Sequence, residues 1–141
     1  AIEQCPPGAV LVIDSRGDAR AASAGSILVR RLMVRGCAGV VTDGGFRDSA
    51  EIAALDIPAF HSRPSAPTNL TLHQAIDIKV AIGCGAAPVF PGDILVGDTD
   101  GVIVIPDEIH DFLRWHSWRT VAGGVTEYLE RMLLRAPATA P

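Results

Sequence analysis

Aromatic side chains are scarce, at 5% of the 141 residues, so Val, Ile, Leu and Ala must build the core. Positive charge is also short. The formal net charge is -4 and the pI about 5.4, which leaves no basic face of the kind that grips nucleic acid by counterion release. The densest basic patch, Arg30, Arg31 and Arg35, reads as the solvated face of a helix. Three scattered cysteines, Cys5, Cys37 and Cys84, form no Cys-x-x-Cys pair. That argues against a zinc site or a disulfide framework and suits a reducing, cytoplasmic setting. No apolar run reaches the roughly 18 residues of a membrane-spanning helix, and no membrane partner is expected. No signal peptide is visible, and the chain does not begin with methionine.

What is present is a globular composition, 48% hydrophobic and 20% charged, at a length that fits one domain spanning 1–141. "GAVLVID", Gly8 to Asp14, reads as a strand buried on both faces. After a small, polar stretch, "SILVRRLMVRG" reads as a helix. Its apolar stripe is Ile27, Leu28, Leu32 and Val34 or Met33, and Gly36 is its C-terminal cap. "AGVVTD" is a second strand, "SAEIAAL" a second helix and "IPAFH" a third strand. This alternation predicts parallel pairing with right-handed crossovers. "SRPSAPTNLTLHQ" reads as an ordered loop. Three strand-like runs follow without helices, "IDIKVAIG", "GDILVGD" and "GVIVIP", with a turn at Asp98–Thr99–Asp100–Gly101. They predict a small β-meander or barrel element. Beyond Pro106, "PDEIHDFLRWHSW" and "VTEYLERMLLR" predict a helical tail over 107–141, broken at Gly123–Gly124.

The junction "VVTDGGFRDSAEIAAL" concentrates the candidate chemistry. Gly44 and Gly45 permit a sharp turn or a close approach to a ligand. Asp48 stands where an N-cap belongs, with Glu51 three residues on as in a capping box; the alternative is metal binding. Arg47, beside a helix start that itself attracts anions, suits a carboxylate; the alternative is a surface ion pair. In "SAGSIL" the N–H groups of Ser26, Ile27 and Leu28 are candidate oxyanion donors; the alternative is simple capping by Ser23 or Ser26. His61 ends a strand and could reach a site, although a lone histidine is more often structural. Asp93, Asp98 and Asp100 read as turn residues. Cys84 lacks a partner fixed by sequence. No glycine-rich dinucleotide turn and no P-loop is present.

"RGCAGVVTDGGFRD" followed by "PVFPGDILVGDTDGVIVIP" resembles the RraA-like family over about Gly8 to Pro106. That family includes 4-hydroxy-4-methyl-2-oxoglutarate aldolases and regulators of ribonuclease activity, and its members were formerly labelled demethylmenaquinone methyltransferases. The resemblance implies an α/β fold, the swivelling α/β/β sandwich with a mixed sheet and a small β-meander. It also implies homotrimers or homohexamers with sites between subunits. By the same resemblance Arg47 holds the carboxylate of a small 2-oxo acid. Asp48 helps to hold Mg²⁺ or Mn²⁺, largely through water. Gly25, Ser26, Ile27 and Leu28 present backbone groups to the substrate. The implied reaction is aldol cleavage or oxaloacetate decarboxylation through a pyruvate enolate. The sequence departs from this pattern at Ser26, where the aldolases carry an acid that helps to form the base. A segment preceding the first strand is expected to be missing, and Glu127 and Glu130 are candidates for an acid given to a neighbour's site. Two further readings are a non-catalytic regulator of an RNA-processing enzyme and, more remotely, a methyltransferase.

Overall fold

The computed structural model describes residues 1–107. The expected helical tail therefore lies outside the described residues, as do Glu127 and Glu130. The α/β class holds, and its strands divide more finely than one mixed sheet. Strands β1 (Val10–Ile13), β3 (Gly39–Thr42) and β5 (Ala59–Phe60) form a parallel sheet in the order β1-β3-β5. A second parallel sheet, β2-β4-β6, is made of β2 (Ala22–Ala24), β4 (Gly45–Phe46) and β6 (Arg63–Pro64). Helix α1 (Ser26–Val34) follows β2, and α2 (Ser49–Ala53) follows β4. The chain thus repeats one step, a strand in the first sheet and then a strand in the second. Three such steps stack side by side.

The remaining strands pair two by two. β7 (Ile82–Cys84) and β8 (Ala87–Val89) make one antiparallel hairpin, and β9 (Ile94–Gly97) and β10 (Val102–Ile105) make another. The expected strand Ile76–Gly83 is shortened to its end. The register sets Ile82 opposite Val89, so continuing it would need Phe90 and Pro91 as partners. The N–H of Phe90 is already donated to Asp93 Oδ2 at 2.8 Å, and proline has none. The turn at Asp98 is as expected: its Oδ1 accepts from the N–H groups of Asp100 and Gly101.

β3 is buried along its whole length, as a central parallel strand should be. β1 was expected to match it but is half-buried throughout, because it forms an edge of the sheet. In α1 the expected apolar stripe holds at Leu32 and Met33 and fails at Ile27, Leu28 and Val34. Val29 and Leu32 are fully buried against β3, with Met33 packed beside them, whereas Ile27 is 82% and Val34 69% exposed. The inward face follows the i, i+3 spacing from Ser26 through Val29 to Leu32. Gly36, at φ +77°, closes the helix in a Schellman motif, with Gly36 N–H donating to Met33 O and Cys37 N–H to Leu32 O. Arg31 and Arg35 both pair with Glu3, fastening the N-terminal 3-10 turn (Ile2–Gln4) to α1. No helix among the described residues is long and apolar enough to cross a membrane.

Candidate active site

Arg47 leaves the end of β4 beside the start of α1. Its N–H donates to Ala24 O at 3.1 Å, which extends the β2–β4 pairing to the edge of Gly25. There the absence of a side chain matters. A Cβ on Gly25 would lie 2.8 Å from Arg47 Cγ and 2.9 Å from Asp48 Oδ2. Gly25 therefore lets both side chains lie flat against the helix start.

Asp48 takes the N-cap position of α2, but its carboxylate makes no capping bond to that helix. The capping box with Glu51 is thus not formed. With φ +58° the residue is left-handed, a conformation that aspartate tolerates better than most residues. The carboxylate is delivered instead to α1. Oδ2 accepts from the N–H of Ser26 at 3.2 Å and from its hydroxyl at 3.3 Å, and lies 3.4 Å from Arg47 Nε. The Ser26 N–H, helped by the Arg47 charge, holds Asp48 below the usual carboxylate range, so it is ionised at neutral pH. Ser26, 7% exposed, donates its hydroxyl hydrogen bond to the Asp48 carboxylate.

The three expected oxyanion donors are not equally available. Ser26 N–H is spent on Asp48, and Leu28 N–H turns back to Gly25 O at 3.1 Å. Among the described residues no hydrogen bond from the Ile27 N–H is found. Among the described residues no group of three His, Cys, Asp or Glu side chains could hold a metal ion. Among the described residues Asp48 is the carboxylate at this helix start, and its hydrogen bonds and ion pair run through Oδ2. That donor set does not fit a closed protein cage. It fits a hard divalent ion that keeps most of its water, such as Mg²⁺ or Mn²⁺.

Other candidates fall away from this point. Gly44 and Gly45 are crowded by the protein itself, since a Cβ would lie 2.6 Å from Ser23 Oγ and 2.7 Å from Ser65 Cβ. The two glycines thus admit the second sheet rather than a ligand. His61 stacks on Phe46 and accepts its N–H through Nδ1, a structural role. Burial, then the nearby Asp43 carboxylate, pushes the Cys84 thiol up, which disfavours a nucleophile. A pocket of about 240 Å³ beside α2 is walled by Ile52, Leu55, Ile57 and Ala59, and touches neither Arg47 nor Asp48. Sequence reasoning missed the hydroxyl cluster of Ser15, Ser23 and Thr42, linked by contacts of 2.6 and 2.9 Å. It also missed Asp43, which accepts from the N–H groups of Ser15, Gly17 and Gly85. Polar residues spaced across three apolar runs were the only signal.

In this α/β protein a guanidinium and an ionised carboxylate thus stand side by side at the start of α1, next to the β2–β4 parallel pair. The RraA-like family model, Aldolase/RraA, matches residues 1–104, and the chain belongs to that family. It is 40% identical over 106 residues to a protein of Halalkalibacterium halodurans provisionally named 4-hydroxy-4-methyl-2-oxoglutarate aldolase, covering 75% of this chain and 50% of that one. The chain thus spans half the length of that curated relative. Its fold is similar to the solved structure of the RNA-processing inhibitor RraA from Thermus thermophilis. There the TM-score is 0.67 at 29% identity, over 75% of this chain and 64% of that one. It is also similar to a structure described as S-adenosylmethionine: 2-dimethylmenaquinone methyltransferase from Geobacillus kaustophilus HTA426. That match has a TM-score of 0.63 at 35% identity, over 74% of this chain and 65% of that one.

Proposed function

We propose that the protein is a divalent-metal-dependent carbon–carbon lyase acting on a small 2-oxo acid through a pyruvate enolate. The observation that carries this reading is the placement of Arg47 and an ionised Asp48 together at the start of α1. Arg47 takes the substrate carboxylate through its guanidinium fork, and the N–H groups of Ser26 and Ile27 at the start of α1 offer further donors. Asp48 Oδ1 holds a hydrated Mg²⁺ or Mn²⁺. When bound, the ion supplies Lewis-acid stabilisation of the enolate charge.

The site favours one of the two family reactions. Aldol cleavage requires a base to remove a hydroxyl proton, and Ser26, which donates to Asp48, cannot serve. Loss of carbon dioxide from oxaloacetate needs no base to begin. The carbon–carbon electron pair passes into the enolate, which is then protonated to pyruvate. We therefore expect pyruvate release from oxaloacetate with Mg²⁺ or Mn²⁺, and much slower release from 4-hydroxy-2-oxo acids. Absence of turnover on every such acid, with ligand binding unaltered in Arg47→Ala, would sink the proposal.

A homo-oligomer, trimer or hexamer, belongs to the same reading and is supported by exposed apolar residues such as Ile27, Leu70 and Ile76. Light scattering tests it. The second reading, a regulator of an RNA-processing enzyme, draws support from Ser26 standing where an acid would complete the base. Stable capture of a ribonuclease, together with no binding of 2-oxo acids, would favour it.

A further inference from the structure

We infer that Asp48 holds the site in a self-occupied state, with its own carboxylate seated on Ser26 N–H and Arg47 Nε, two of the donors that the reading above gives to a ligand carboxylate. This rests on the reading above, in which Arg47 and the start of α1 bind the substrate's carboxylate. Asp48 Oδ2 lies 3.2 Å from Ser26 N and 3.4 Å from Arg47 Nε, so one internal oxygen engages both. The backbone supports this placement: the left-handed turn at Asp48 aims the carboxylate away from its own helix and onto α1. Gly25 clears the space through which it passes.

A second anion cannot share these donors without like-charge repulsion at hydrogen-bonding distance. A ligand carboxylate that takes the Ser26 N–H therefore has to displace Oδ2 from it. The exchange leaves the core intact, because the Arg47 and Asp48 side chains are 42% and 31% exposed. Asp48 is a competitor for the anion site as well as a proposed cation ligand, and the two roles pull in opposite directions on anion affinity.

The test is calorimetric titration of oxalate into the 141-residue protein in buffer stripped of divalent ions by a chelating resin. Asp48→Asn removes the charge while tolerating the left-handed backbone, and Asp48→Gly removes the side chain altogether. Both variants are expected to bind metal-free oxalate about tenfold more tightly than the wild type, the ratio given by about 1.4 kcal/mol of relieved competition. Circular dichroism checks that the fold is retained. Equal or weaker oxalate binding in both folded variants overturns the self-occupied state alone, provided that Arg47→Ala still abolishes binding. Absence of oxalate binding in the wild type and in both variants overturns the self-occupied state and the anion site together.

Discussion

Strand β3 is buried at all four of its residues, whereas β9 and β10 are exposed or half-buried at every position. The same contrast separates the two stretches around them. The stacked strand pairs up to β6 enclose Val29, Leu32, Val40 and Phe46 completely. From residue 68 to residue 105 only Val89 is buried, while Leu70, Ile76 and Phe90 face outward. The hairpins are attached at discrete points. Gly85 N–H donates to Asp43 at 3.3 Å, and Gly97 packs so closely on Phe60 that a Cβ would lie 2.7 Å from its ring. Every described residue of the candidate site belongs to the well-packed stretch. Precise placement of Arg47 and Asp48 is thus underwritten by core packing.

The largest expected effect tests that contrast directly. Phe46→Ala should cost about 3–5 kcal/mol in denaturant unfolding, because it empties a fully buried site next to Arg47. Ile76→Ala, at a residue 85% exposed, should stay within about 0.5 kcal/mol. Equal effects would erase the distinction between the stretches. Gly25→Ala keeps a backbone that any residue adopts, at φ −128°, yet its methyl group collides with Arg47 and Asp48. A cost of about 1–3 kcal/mol and loss of oxalate binding are expected, read by unfolding and calorimetry. Asp43→Asn weakens three backbone hydrogen bonds at the end of β3, for about 1–3 kcal/mol. Hydrogen exchange should rise at Gly85 and leave Val40 protected.

The last prediction concerns the core thiols. Burial, then contact with Cys37, pushes Cys5 up from 9.0 to about 11. A raised pKa gives stability that is present below the unfolded value and lost as pH rises through the folded one. Stability should therefore fall between pH about 9 and about 11, and Cys5→Val should flatten that fall. The same burial predicts that thiol reagents reach the half-buried Cys84 before Cys5 and Cys37.

Much of the first sheet was legible because its strands and crossovers carry strong local signals. Val40–Val41 is an unbroken apolar run, and Gly25 and Gly36 bracket α1. The second sheet was not legible. Strands of two or three residues, such as Gly45–Phe46 and Arg63–Pro64, are too short to show a period of two. The outward position of Ile27 and Val34 shows that apolar residues on a helix need not mark its buried face. At the site, the pairing of Arg47 with Asp48 was visible, and the destination of the carboxylate was not. Asp-x-x-Glu is a sound capping pattern, but the left-handed turn at Asp48 redirects the side chain to a helix 22 residues earlier. Only tertiary pairing of β2 with β4 brings that helix within reach.

That separation has a kinetic consequence. α1 precedes the anion that caps it, so the helix start has no charge partner until the second strand pair has docked on the first. The Asp48–Ser26 contact should be a late event in folding. Asp48→Gly would then chiefly change the unfolding rate and leave the folding rate nearly untouched, as is usual for interactions absent from the transition state.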